Sequence, residues 1–193
     1  MRKAVFLDRD GVINANVYYE KWGEWEAPMS PEDVVIIPGA IEAMLLLQRA
    51  GFSLFVISNQ GAFAKGKTSL ASLMAVIKRV NGLLAEGGVR ITESYYSFTH
   101  PAGVVEGFSG ESLERKPGAY FPRVAAAAYS LDLSGSWMIG DRDTDVLCGK
   151  SAGCLTIRIR DARDKISVAA TVPYAEASAL DEAASIIIGS KKL

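Results

Sequence analysis

Asp8 and Asp10 flank a single arginine and follow directly on the apolar run Ala4-Val5-Phe6-Leu7, with Gly11 next in line. Two carboxylates at the tip of a buried strand share one crevice, repel each other when ionised, and are relieved by a bound cation. Taken alone, D-x-D-G also reads as a solvated turn hinged on its glycine. Three further polar clusters shift the balance: Ser58-Asn59-Gln60-Gly61, Arg115-Lys116 before Pro117, and Gly140-Asp141-Arg142-Asp143-Thr144-Asp145. Each has a plain structural role of its own, as a helix cap, a solvated turn, or acids that suit a helix N-terminus. Together they hold the parts of a phosphoryl-transfer site. Asp8 suits a carboxylate nucleophile, and Asp10 a group that protonates the leaving oxygen and then deprotonates water. Asp141 is a hard oxygen ligand for Mg²⁺, and Asp145, one helical turn on, either ligates the ion or orients its waters. Ser58 and the amides after it can donate to phosphate oxygens. Lys116 offers a point charge and Arg115 a planar fork for a second anionic or hydroxylated part of the substrate.

These clusters need strands to end where they begin. Apolar runs at Ala4–Leu7, Phe52–Ile57, Ser94–Phe98, Ser136–Ile139 and Cys154–Ile159 read as strands. Helix-like spacing fills Ala40–Ala50, Leu70–Glu86, Ala119–Leu131 and Thr144–Ala152 between them. Strand and helix in alternation imply an α/β fold with a parallel sheet, whose ligands sit beyond the carboxyl ends of the strands. The opening motif, the Ser58 cluster and the Asp141 cluster each follow such an end. The stretch between Val12 and Pro38 is too long for an ordinary connection and carries Tyr18, Tyr19, Trp22 and Trp25. It reads either as an aromatic loop pinned to the core, at about 14–37, or as a lid beside the crevice.

With 193 residues, 49% of them hydrophobic, the chain suits one domain spanning 1–193. A formal charge of −1 with the charges interspersed gives no footprint for nucleic acid, so a small-molecule phosphate ester is the expected partner. Cys148 and Cys154 are too few for a disulfide framework and fit a reducing cytoplasm as small core residues. No stretch approaches the length of a membrane span, and a monomer is expected.

The ordered motifs resemble those of the haloacid dehalogenase-like hydrolase superfamily: D-x-D, then Ser or Thr, then Lys, then an acidic cluster. Phe6 to Asn14, Ser58-Asn59-Gln60, Arg115-Lys116-Pro117 and Ile139 to Arg142 resemble the branch that holds histidinol-phosphate phosphatases and D,D-heptose 1,7-bisphosphate phosphatases. The resemblance implies a Rossmann-like three-layer sandwich around a central, mainly parallel sheet, with no large cap domain. It also implies Mg²⁺ dependence with Asp8, Asp10 (through its backbone) and Asp141 as ligands. Asp8 is then the nucleophile and Asp10 the acid/base, with Ser58 and Lys116 on the phosphoryl group and Asn59, Gln60 and Arg115 toward the substrate.

The implied activity is a phosphatase acting through an aspartyl-phosphate, on a sugar phosphate such as D,D-heptose 1,7-bisphosphate. Histidinol phosphate is the alternative substrate, and a non-catalytic binding module the alternative role. The heptose enzymes hold a structural zinc on Cys-x-His and Cys-x-Cys, where this chain has Ser97, Thr99, Ser112 and Glu114. No structural zinc is therefore expected. The loop at about 99–116 should be held by packing, and His100 should serve as a hydrogen-bonding loop residue. The family's Ser-Asn-Gln-Ser-Gly-x-Ala-Arg-Gly becomes Ser58 to Gly66 here with Gly61-Ala62 and Lys65, and the segment after Asn14 is longer than the family's usual connection.

Overall fold

Ala4 to Leu7 are apolar on both faces and fully buried, as a strand covered on both sides requires. They belong to β1 (Lys3–Leu7), an inner strand of the sheet in a computed structural model that describes residues 1–160 and 171–190. The chain then forms a short hairpin, β2 (Val17–Tyr19) and β3 (Glu24–Glu26), a 3-10 turn at Pro31–Asp33, and α1 (Ala40–Arg49). There follow β4 (Phe52–Asn59), α2 (Leu70–Glu86), β5 (Glu93–Ser97), α3 (Tyr120–Tyr129), β6 (Trp137–Gly140), α4 (Asp143–Ala152) and β7 (Leu155–Ile159). The last described elements are β8 (Ala175–Ala177) and α5 (Leu180–Ser190).

The main sheet has the order β5-β4-β1-β6-β7-β8, with every pairing parallel. Pleat alternation sends Val5, Leu7, Leu54, Val56, Trp137 and Ile139 to one face, where they pack with apolar residues of α1, α2 and α5. Ala4, Phe6, Phe55, Ile57 and Met138 face the other way, onto Phe121 and Ala125 of α3. Gly149 lets α4 lie close on that same face, since a Cβ there would stand 2.6 Å from Met138 and Thr156. The three-layer α/β sandwich expected from the sequence is what the chain forms. From β1 the sheet grows outward through β4 and β5, then on the other side through β6 to β8. The strand order therefore reverses between β1 and β6, where an open α/β sheet leaves a crevice.

The segment at 14–37 departs from the expected loop. Val17-Tyr18-Tyr19 pairs antiparallel with Glu24-Trp25-Glu26, and the rings of Tyr18 and Trp25, opposite each other in register, lie 5.5 Å apart. Gly23, at φ +64°, closes the turn between them. The Tyr19 hydroxyl ties the hairpin down by donating to Asp33 Oδ2 at 2.7 Å and accepting from the Met29 amide at 2.7 Å. Residues 99–116 are held without any cysteine. His100 bridges to Ser109, its carbonyl accepts from Gly103 and Gly110, and Phe108 packs edge-on against Phe63 at 4.9 Å. Cys148 and Cys154 are both free and buried. No described helix is long and apolar enough to cross a membrane.

Candidate active site

The carboxyl ends of β1, β4 and β6 converge, and each delivers the residues that follow it. Asp8 leaves β1, Asp141 leaves β6, and Asp145 comes back from the first turn of α4. One carboxylate oxygen from each lies within 4.8 Å of the others, and all three side chains are buried. Among the described residues this is the one group of acidic, histidine or cysteine side chains able to hold a metal ion. Burial, the charges of Asp8 and Asp145, and only partial relief from Arg142 and Lys116 push Asp141 up to about 8. Burial also raises Asp8, against the pull of Lys116, to about 6. Asp141 Oδ1 is buried with no hydrogen-bond partner. Unpaired hard oxygen and mutual repulsion are what a divalent cation such as Mg²⁺ relieves, so the residues fit that ion. Two glycines make room for the group: a Cβ on Gly11, at φ +86°, would overlap the Asp141 carboxylate, and one on Gly140 would overlap Asp145.

Lys116 reaches the group from the loop before α3. Its Nζ lies 2.9 Å from Asp8 Oδ1 and 2.6 Å from Asp145 Oδ1, and donates to the Ile57 carbonyl at 2.8 Å. Burial would pull the ammonium's pKa down, but Asp145 and Asp8 outweigh it and hold it above its usual value. Asp8 Oδ1 also accepts from the Arg9 amide at 2.7 Å. Asp145 Oδ2 accepts from the Arg142 amide at 3.0 Å, so this acid caps α4 while it pairs with Lys116.

Asp10 faces a different set of partners. Its Oδ1 accepts from Arg9 Nε at 3.1 Å, Arg9 Nη2 at 3.0 Å and Asn14 Nδ2 at 2.9 Å. Its Oδ2 accepts from Gln60 Nε2 at 2.6 Å and Ser58 Oγ at 3.3 Å. Burial pushes its pKa up, but the Arg9 charge and the hydrogen bonds from Asn14, Arg9 and Gln60 more than reverse that and hold it below the ordinary carboxylate value. The carboxylate of Asp10 is thus outside the acidic group, and only its backbone is left for the metal contact that the resemblance implies.

A cavity of about 130 Å³ opens in front of these residues and is lined by Asp8, Asp10, Ser58, Asn59, Arg115 and Lys116 among others. The residues singled out from sequence thus meet in one place, with two changes of role. Gln60 is fully buried, and its amide spans Asp10, Ser58 and Arg9 instead of facing the cavity. Asn59 touches the cavity wall, but its amide clamps the Lys116 backbone in both directions at 3.0 Å, which fixes where the ammonium points. Arg115 donates to the Thr99 carbonyl at 3.0 Å and lines the cavity.

Sequence reasoning passed over Arg9, which is fully buried and is the cation on Asp10. It also passed over Asn16, Glu26, Lys65, Arg142 and Thr144 on the cavity wall. Glu26 arrives there only because the hairpin folds back, which no local signal announces.

Residues 113–184 match the HAD-hydrolase-like family model. Over 163 residues, covering 82% of this chain and 79% of the relative, the sequence is 35% identical to a D-glycero-D-manno-heptose-1,7-bisphosphate 7-phosphatase of Thermosynechococcus vestitus. It is 31% identical over 173 residues to D-glycero-beta-D-manno-heptose-1,7-bisphosphate 7-phosphatase of Pseudomonas putida, covering 89% of this chain and 90% of that one. Among solved structures, the fold superposes with a TM-score of 0.79 and 29% identity on a Mesorhizobium loti protein assigned as a HAD-like phosphatase, covering 97% of this chain and 87% of the other. It also matches the fold of the D,D-heptose 1,7-bisphosphate phosphatase of B. bronchiseptica complexed with magnesium and phosphate, with a TM-score of 0.78, 24% identity, and 97% and 99% of the two chains covered.

Proposed function

The chain belongs to the haloacid dehalogenase-like hydrolases, in the family that includes the D-glycero-D-manno-heptose-1,7-bisphosphate 7-phosphatases, and on that footing we propose that it is a Mg²⁺-dependent phosphatase of a sugar bisphosphate. The observation that carries the reading is the placing of Asp8. It stands between a buried ammonium and two further carboxylates, at the mouth of a cavity that also receives Asp10 and Ser58. Asp8, Asp141 and the backbone of Asp10 would hold Mg²⁺, which supplies positive charge opposite the phosphoryl oxygens. Asp145, with its oxygens on Lys116 and the Arg142 amide, orients the surroundings of that ion.

In the first half-reaction Asp8 attacks phosphorus. Its Oδ1 is held by Lys116 and the Arg9 amide, so Oδ2 is the oxygen without a protein donor among the described residues. A bond forms between Asp8 and phosphorus, the ester P–O bond breaks, and the departing oxygen takes a proton from Asp10, whose carboxylate, ionised in the free protein, receives that proton from the monoanion of the bound phosphate ester. In the second half Asp10 removes a proton from water, which attacks phosphorus; the phosphate leaves with that proton, and Asp8 and the Asp10 carboxylate are restored. Oδ1 of Asp10 accepts three hydrogen bonds and Oδ2 accepts two, from Gln60 and, at a longer 3.3 Å, from Ser58, so Oδ2 is the less crowded oxygen and the one assigned the proton. Lys116 and Ser58 neutralise and bind the equatorial oxygens.

The test is phosphate release from a panel of metabolite phosphates with and without Mg²⁺. The proposal expects a sugar bisphosphate to give the highest kcat/KM, with turnover abolished by chelator. A panel on which no sugar phosphate is hydrolysed would rule it out.

A further inference from the structure

Glu26 is out of place in a site that handles phosphate. It lies on the cavity wall with Asp8 and Asp10, where another negative charge repels the ligand the cavity is built to take. Its side chain is only 15% exposed, so solvent does little to screen it and the offset falls to neighbouring side chains. The charge persists nonetheless: burial pushes its pKa up, but Lys65 and Lys67 outweigh this and hold it below the usual value. Lys65 Nζ donates to Oε1 at 2.5 Å and Lys67 Nζ donates to the same oxygen at 2.6 Å. Lys67 also reaches Glu24 Oε2 at 2.5 Å and lies 5.3 Å from the centre of the Trp22 ring, so the hairpin is clamped from two positions. Both lysines converge on one oxygen of Glu26, and the other remains as an acceptor.

Another part of the wall offers the complementary group. His100 Nδ1 accepts from the Ala102 amide at 3.0 Å, so in the neutral ring the proton sits on Nε2. Partial burial, with Arg115 and Lys65 nearby, lowers its pKa and keeps the ring neutral at physiological pH. Glu26 and His100 both line the cavity, which thus has a carboxylate acceptor and a neutral N–H donor on its wall. A group that donates to one and accepts from the other is a hydroxyl. An ammonium fits poorly, because Glu26 is already neutralised by two lysines and Arg115 and Arg142 line the same cavity.

We propose that Glu26 is a specificity-determining residue, held by Lys65 and Lys67 so that it accepts a hydrogen bond from a hydroxyl on the substrate's carbon chain. The inference rests on the phosphatase reading and deepens it: the site takes polyhydroxylated phosphate esters because a carboxylate from the hairpin stands where a hydroxyl must be.

The experiment compares wild type, Glu26→Gln and Lys67→Met on three probes: the sugar phosphate that wild type hydrolyses best, p-nitrophenyl phosphate, which carries no hydroxyl, and histidinol phosphate, which carries an ammonium. Urea unfolding serves as the control for folding. Glu26→Gln is expected to raise KM for the sugar phosphate about tenfold, the usual scale for a hydrogen bond to a charged group, with kcat within about twofold. Its kinetics on p-nitrophenyl phosphate should stay within about twofold of wild type. Lys67→Met, which loosens the hairpin and leaves the carboxylate in place, should raise KM by less than Glu26→Gln does.

Equal losses on sugar and aryl phosphates would overturn the proposal, as would a Lys67→Met effect as large as that of Glu26→Gln. An effect confined to histidinol phosphate would make the partner a cation and overturn it too. Active wild type with an unchanged ratio between probes rejects Glu26 alone. Wild type inactive on every ester with Mg²⁺ rejects the phosphatase reading and this inference with it.

Discussion

Replacing Arg9 by methionine keeps most of the side chain's volume and removes the one charged partner of Asp10. Arg9 is fully buried, and Asp10 is 8% exposed. The substitution deletes two hydrogen bonds to Asp10 Oδ1 and one to Gln60 Oε1, leaving a buried carboxylate with only neutral donors. Breaking a buried ion pair from one side costs about 3–5 kcal/mol. Against a total stability of about 5–15 kcal/mol that is a large share. At an m value of about 2.5 kcal/mol/M the urea midpoint should fall by about 1–2 M.

The pH dependence has a definite sign. Asp10 has a lowered value in the folded protein, so its contribution is present above the ordinary carboxylate pKa of 3.8 and is lost as pH falls through the folded value. Without Arg9, burial acts unopposed by charge, the pKa rises, and ionised Asp10 becomes a cost at neutral pH. The gap between wild type and Arg9→Met should therefore be widest near pH 7 and shrink toward pH 3. Asp10→Asn in the Arg9→Met background should recover part of the loss, because position 10 then carries no buried charge. Urea titrations of wild type, Arg9→Met, Asp10→Asn and the double variant at both pH values complete the cycle. A midpoint for Arg9→Met within about 0.2 M of wild type, or a gap that does not change with pH, would refute the reasoning.

Further outcomes follow from the acidic group. Asp8 and Asp141 have folded values of about 6 and about 8, above the ordinary 3.8, so the metal-free protein binds extra protons and loses stability as pH rises from about 4 to about 8. Mg²⁺ at a hundred times its Kd should raise Tm at pH 8 by about 5–10 °C and by less at pH 5, where protons compete, as differential scanning fluorimetry would show. Gly140→Ala places a methyl group against Asp145 and costs about 1–3 kcal/mol of packing. Its displacement of Asp145 should also lower kcat at least about tenfold, read in steady-state assays on protein shown to be folded.

The strands that carry chemistry were legible because each is an apolar run cut off by polar residues, and a parallel sheet buried on both faces demands that pattern. That pattern alone places Asp8, Ser58 and Asp141 at one edge of the sheet. The hairpin was not legible. Val17–Tyr19 and Glu24–Glu26 are three residues each, and the ring contact of Tyr18 with Trp25 and the clamp from Lys65 and Lys67 come from pairing and from distant sequence. The β8 and α5 elements escaped for a related reason: Ala-Glu-Ala has no strand signature, and its partner β7 makes it a strand. Gln60 shows the limit at single residues. The family resemblance implies a place toward the substrate, but the buried guanidinium of Arg9 and the carboxylate of Asp10 claim both ends of its amide. A guanidinium wedged between two acids at a buried strand tip was itself the available signal.

The central claim is that Asp8 carries the phosphoryl group. Borohydride added during turnover with Mg²⁺ and a sugar bisphosphate reduces an acyl phosphate to the alcohol, so peptide mass spectrometry should find homoserine at position 8. It should be absent without substrate, without Mg²⁺, and in Asp8→Asn, which should also lose turnover by several orders of magnitude. Steady turnover with Asp8 left unmodified, or with Asp8→Asn still active, would contradict the account.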